Sequence, residues 1–226
     1  EIAFSKGGDK AKEQANMSLQ EVADVELSGS RFVSIHPDQD SLEFYSPKAS
    51  FSTRRNVITA EGVVILKVAD AAIQPIDGKV IVYKEARMET FENANILANM
   101  TSKYHLFFGA TVDVLSRKKY KASGKYNYVD EQENQQQIYF DKIEVDTTIQ
   151  TYAIGKISEE ANFTLSPHFE YKGNVHLLAN IEYLTFEGGV RIRHTCDNVK
   201  SWVSFKSEIN PKEIYIPMQF EKRDMD

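Results

Sequence analysis

The sequence predicts an all-β chain: stacked antiparallel short strands forming a two-sheet jelly roll or a solenoid-like sandwich. Three observations carry this expectation. From Ile138 to His194 short runs alternate apolar and polar residues and break at Asp141, Gly155, Gly173 and Gly188, the period-two signature of half-buried strands. Tyr and Phe contribute 11 and 13 residues against a single Trp, a composition suited to pleated surfaces. Turn-forming residues also recur at even spacing along most of the chain.

That spacing is carried by Gly62, Gly78, Asn93, Gly109, Gly124, Asp141, Gly155, Gly173 and Gly188, separated by 14 to 18 residues. Gly, Asn and Asp are the residues that best tolerate a left-handed backbone. Two places after these markers stand Val64, Val80, Asn95, Thr111, Tyr126, Ile143, Ile157, Val175 and Val190; where that residue is polar, Ile96 or Val112 follows it. A period of this length suits a strand, a turn, a return strand and another turn. The markers are therefore expected at turns of a structural repeat, with an evenly spaced β-sandwich as the alternative.

In chain order, residues 1–30 have few aromatics. Asp9 to Val25 is compatible with a turn or two of helix, but its apolar residues keep no clean helical spacing, and the segment is expected first as an extended arm with a short strand at ADVELSG. The β-repeat domain is placed at 31–195. RFVSIHP and SLEFYSP alternate and are bounded by Pro37 and Pro47, as strand ends are. Asp77-Gly78 before KVIVY is the strongest short hairpin signal. DEQENQQ reads as an exposed hairpin loop between Tyr128 and Ile138. Residues 196–226, with strand candidates SWVSF and EIYIPM at their start and centre, are expected as a cap or the beginning of a further module.

Composition limits function. Apolar residues make up 42% of 226, ample for a core, and the net charge of −6 is spread along the chain. Nucleic acid or an anionic membrane surface would select a basic face. One cysteine, Cys196, forms no internal disulfide, and no Cys/His spacing resembles a zinc site. No apolar run is long enough to span a bilayer. The chain starts at Glu1 and not at a methionine, as expected of a processed chain or a piece of something longer.

Motifs with chemical content are sparse. The five histidines are scattered without partner carboxylates at fixed spacing, and are expected to be solvated or at strand edges. Asp38 and Asp40 beside Pro37 read as a turn more readily than as a metal pair. Ser123-Gly124 and Gly188-Gly189 are too sparse to cradle a phosphate. The cluster Arg117-Lys118-Lys119-Tyr120-Lys121 mixes cations with an aromatic. It is a candidate contact for an anionic lipid head or acidic partner, against the reading of a lysine-guarded edge strand. Sequons at Asn16, Asn99 and Asn162 matter only in a eukaryotic secretory setting. No catalytic residue, metal or cofactor is expected, and the chain is read as no enzyme.

VITAEGVVILKVADAAIQPIDGKVIVYKEARM and FTLSPHFEYKGNVHLLANIEYLTFEGGVRI resemble the OstA-like family of lipopolysaccharide-transport proteins. The matching residues are Ala60, Gly62 and Val64, then Ala69, Asp70 and Ala72, with echoes at Gly173-Asn174-Val175 and Gly188-Gly189-Val190. The likeness covers roughly residues 30–195. The chain as a whole also resembles a segment of large, uncharacterised cell-envelope proteins of Gram-negative bacteria. The resemblance implies a two-sheet jelly roll whose apolar interior carries acyl chains, in the periplasm or at the outer membrane. Its expected partners are lipid or lipopolysaccharide and neighbouring β-modules. Alternation then nominates Val175, Leu177, Phe186, Val190 and Ile192 as the lipid-facing interior. The second class is a structural or adhesive surface module that binds protein or glycan.

Overall fold

A computed structural model describes residues 2–5, 10, 13–14, 16–194 and 201–216. The chain is all-β, with 54% strand and 8% helix. Alternation and turn chemistry produce seventeen named strands: β1 (Ile2–Ser5), β2 (Ser30–Val33), β3 (Glu43–Ser46), β4 (Lys48–Ser52), β5 (Val57–Glu61), β6 (Leu66–Val68), β7 (Ala71–Pro75), β8 (Lys79–Val82), β9 (Phe91–Leu97), β10 (Leu106–Ser116), β11 (Lys119–Val129), β12 (Gln135–Val145), β13 (Thr151–Ile157), β14 (Thr164–Ser166), β15 (Phe169–Leu178), β16 (Leu184–Ile192) and β17 (Val203–Ile209). Ten form one antiparallel row in the order β17-β16-β15-β13-β12-β11-β10-β9-β7-β6, with β14 beside β15. A four-stranded sheet, β1-β4-β5-β8, and the β2-β3 pair complete the fold.

The large sheet curls into a half-barrel. Tyr128 on β11 and Phe186 on β16 are four strands apart in the row, about 19 Å in a flat sheet. Their ring centroids lie 5.8 Å apart. Farther along, Asp70 in the β6–β7 turn accepts from the Thr151 amide and from its hydroxyl at 2.6 Å, although β13 is five places from β7. Phe163 bridges the two walls, with its ring 5.2 Å from Tyr128 and 6.3 Å from Phe186.

Seven of the nine markers explain the curl, in a different way from the one their spacing suggests. Gly62 and Gly78 do follow strands or sit in turns, with φ of 74° and 64°. The other seven lie inside strands. Pairing sets several of them side by side: Gly124 and Gly155 both face Phe140, and Gly173 faces Gly188. Register breaks fall at Phe108/Thr111, Ala122/Gly124 and Phe140/Lys142, so Gly109, Gly124 and Asp141 sit at bulges. Bulges and glycines are the devices that bend a sheet. In an antiparallel meander, opposite positions on successive strands are separated by half a strand, a turn and half a strand. With β10, β11 and β12 each 11 residues long, that gives the observed spacing with the markers at mid-strand.

Two further expectations need correction. Residues before Ser30 carry more than an extended arm: β1 pairs with β4, and α1 (Leu19–Val22) opens with a capping box between Ser18 and Glu21. Leu19, Val22 and Ala23 pack on Ile65, Ala72 and Leu97 in a second cluster. Lys67 and Lys103 donate to the Ala23 and Gln20 carbonyls at 2.9 Å, where cations favour the helix dipole. The other helical pieces after Ser30 are the 3-10 turns Pro37–Gln39, Lys84–Ala86 and Glu159–Ala161. The DEQENQQ loop is shorter than expected, since β12 already begins at Gln135 and the Asp130 carboxylate accepts from the Gln132 and Asn134 amides at 2.9 Å.

Of the C-terminal strand candidates, SWVSF contributes to β17, whereas residues 213–216 of EIYIPM are not strand. Pro217, Met218 and Cys196 lie outside the described residues.

Candidate functional site

The half-barrel interior, expected to face lipid, is a closed core. Val175 and Phe186 are 0% exposed, and Leu177 and Val190 are 1% exposed. Aromatic edges fill the space between the walls: Tyr171 meets Phe186 at 5.0 Å and 85°, and Phe107 meets Phe140 at 5.4 Å and 82°, geometries that aromatic rings prefer. The buried tyrosine hydroxyls are satisfied internally. Tyr128 donates to the Leu165 carbonyl at 2.9 Å and Tyr171 to the Asn174 carbonyl at 2.6 Å. Ile192 departs from the expected set. It shares the face of Val190 by alternation, yet it is 49% exposed, because β16 there pairs with the first residue of β15 at the rim of the sheet.

The basic cluster is also placed differently from its edge-strand reading. Arg117 and Lys118 form the turn between β10 and β11, and β11 is an inner strand flanked by β10 and β12. Tyr120 is fully buried. The Arg117 amide donates to the Gln39 carbonyl at 3.1 Å, and its own carbonyl accepts from Ala69 at 2.8 Å. Lys118 and Lys119 border an open depression that also contains Asp40 and Asp146. These carboxylates offset the cations, and the interior residues do not share the depression.

Polar groups in the interior are structural. The Thr151 hydroxyl has one proton, which it gives to Asp70, so Tyr120 must be the donor in the 2.8 Å bond between the two hydroxyls. Burial pushes the Asp70 carboxyl above the ordinary carboxylate range, against the bonds from Thr151 and Asn99. His105, expected to be solvated or at an edge, is 1% exposed. Its Nε2 lies 2.6 Å from the Ile181 carbonyl and so carries the proton; Nδ1 lies 3.3 Å from the Tyr126 hydroxyl and accepts. Burial pushes the imidazole pKa down. Among the described residues, no group of three or more His, Cys, Asp or Glu is placed to hold a metal ion. No helix among them is long and apolar enough to cross a membrane.

An apolar cavity of about 530 Å³ opens to solvent between the β2–β3 hairpin, β5, β8 and the segment after β8. The hairpin supplies Phe32 and Phe44, cross-strand partners stacked at 5.1 Å, together with the buried Leu42. Ile58 and Val82, paired between β5 and β8, and Met88, bridged to Val82, supply the other wall. Two left-handed turns border the cavity: Asp40 and Ser41 at φ 50° and 56°, Glu85 and Ala86 at φ 63° and 57°. The Gln39 side-chain amide donates to the Ala86 carbonyl and ties the two turns together. Non-glycine residues pay for such a backbone, so packing and this bond must hold both turns. At the mouth stand Val33 and Ile35, 42% and 99% exposed.

A concave, mainly apolar lining with few polar groups is what a small apolar ligand requires, and the volume lies in the usual range for one. His36 and Glu85 are the charged or chargeable groups next to the apolar wall, besides the Tyr83 phenol. They offer no paired carboxylates and no nucleophile held by a base. Sequence reasoning passed over this site because its walls come from 32–44, 58 and 82–88, segments that only the tertiary fold joins. The one local signal was the exposed aliphatic pair in RFVSIHP. No family model, no curated protein and no solved structure matches this chain.

Proposed function

We propose that the chain is a non-catalytic β-module of the Gram-negative cell envelope that holds the apolar part of a lipid, and that it does so in the cavity between 32–44 and 82–88. The observation that carries the reading is an open apolar cavity rimmed by the exposed aliphatics Val33 and Ile35, beside a half-barrel core that is closed. Each methylene moved from water into such a lining contributes about 0.8 kcal/mol. The envelope setting rests on the OstA-like motifs at Ala60, Gly62 and Val64 and at Ala69, Asp70 and Ala72.

The test is native mass spectrometry of the protein after incubation with fatty acid, lysophospholipid or lipopolysaccharide. Wild type is expected to retain one acyl ligand. Ile35→Asp, a change at a fully exposed position, is expected to weaken retention without altering the thermal midpoint. Retention of no lipid by wild type would refute the reading. It would favour the structural or adhesive module that binds protein or glycan, for which the closed half-barrel core and the exposed Tyr104 and Tyr139 speak.

A further inference from the structure

The outer edge of β17 is a second feature with functional content, independent of the cavity. β17 pairs with β16 from Val190↔Val203 to Leu184↔Ile209 without a register break, and among the described residues no strand lies on its other side. Unpaired edges invite another strand, and proteins commonly block them with proline, a bulge, an inward-pointing charge or an edge lysine. VSFKSEI has no proline, bulge or inward-pointing charge, and its one lysine, Lys206, is neutralised by Glu187 on β16. Phe205 and Ile209 face inward at 8% and 1% exposure, and Lys206 and Glu208 are exposed on the opposite face.

We propose that β17 is a homodimer edge, pairing antiparallel with β17 of a second copy about a two-fold axis at Ser207. The side-chain pattern selects this register. Antiparallel partners share a face, so only registers offset by two residues keep inner residues on the inner face. Centring on Ser207 sets Lys206 opposite Glu208 of the partner subunit, and Glu208 opposite Lys206 of the partner subunit. On the inner face it sets Phe205 against Ile209 of the partner subunit. Centring one residue earlier places Lys206 against its own copy, and centring one residue later does the same to Glu208; like charges directly opposite are destabilising. Lys206 also reaches Glu187 on β16 at 2.8 Å, so pairing extends a row of alternating charge: Glu187, Lys206, then Glu208 of the partner subunit. A two-fold contact uses the same patch twice, and this strand is complementary to itself.

Sedimentation velocity on the whole chain tests the proposal. Wild type is expected to shift from monomer to dimer mass as concentration rises. Lys206→Glu and Glu208→Lys should each stay monomeric, since each places like charges across the axis. An equal mixture of the two variants should dimerise again, because one strand then presents two glutamates and the other two lysines. This recovery separates pairing from mere damage, as misfolded chains would not restore each other. Wild type that is monomeric at every concentration would overturn the proposal, as would single variants that dimerise like wild type or a mixture that stays monomeric.

Discussion

Replacing Gly173, Gly188 and Gly109 by alanine separates the two reasons a mid-strand glycine bends this sheet. At Gly188 the backbone is unstrained, but an added Cβ would lie 2.2 Å from the Lys172 carbonyl oxygen and 2.7 Å from Gly173 Cα. Those are backbone atoms in a paired strand, so β15 and β16 must move apart, an overpacking cost of about 1–3 kcal/mol. At Gly173 the Cβ would meet the Glu187 carbonyl oxygen, Gly188 Cα and the Tyr171 hydroxyl, each at 2.6 Å, and φ is also +145°. A strained backbone adds about 1–3 kcal/mol. At Gly109 φ is +54° and nothing lies within 4 Å of the added atom, which leaves only the left-handed cost of about 1–2 kcal/mol. The expected order of destabilisation is Gly173→Ala, then Gly188→Ala, then Gly109→Ala, spanning about 1 to 6 kcal/mol. Urea denaturation gives each value from the midpoint at a shared m value. An unchanged midpoint for Gly188→Ala, or a Gly109→Ala cost equal to that of Gly173→Ala, would refute the reasoning that close strand approach along this line shapes the half-barrel.

Two interior groups yield further tests. Burial holds the His105 pKa below its ordinary 6.5, so the unfolded chain takes up the proton first. The stability from this group is complete above that value and falls as pH drops through it, by at most about 1.4 kcal/mol per pH unit. His105→Gln should lose that slope; denaturation midpoints that decline in parallel for both proteins on acidification would contradict the buried neutral imidazole. Thr151→Val removes the hydroxyl between Tyr120 and Asp70 and should cost about 1–3 kcal/mol by leaving buried groups unsatisfied. Adding Tyr120→Phe should then cost less than it does in wild type, and a double-mutant cycle with no coupling would count against the hydroxyl chain.

The fold class was legible because alternation and turn chemistry are local. Asp77-Gly78 forms the tight turn its residues favour, with Gly78 at φ 64° and the Asp77 carboxylate accepting from the Lys79 amide at 2.9 Å. It does not form the hairpin it signals, since β7 pairs with β6 and β9 in the large sheet and β8 pairs with β5 in the small one. The phase of the spacing was not legible. A glycine at a turn and a glycine at a mid-strand bulge look identical in sequence, and both recur once per strand in a meander. The Ser18–Glu21 capping box was present in the sequence, but α1 is too short for its apolar residues to establish a helical period. For the interior, alternation placed Val175, Leu177, Phe186 and Val190 correctly on one buried face. It could not report that the sheet ends before Ile192 gains a covering layer, nor that facing aromatics close the space. The cavity was least accessible, since Leu42, Ile58 and Met88 are brought together by three separate elements.

The central functional claim is that ligand enters the cavity between 32–44 and 82–88 while the half-barrel core stays closed. Methyl-resolved NMR of the protein, titrated with a long-chain fatty acid below its micelle concentration, tests it directly. The account predicts saturable shifts at Leu42, Ile58, Val82 and Met88, with Val175, Leu177 and Val190 unmoved. Shifts at the second group, or at neither, would contradict it.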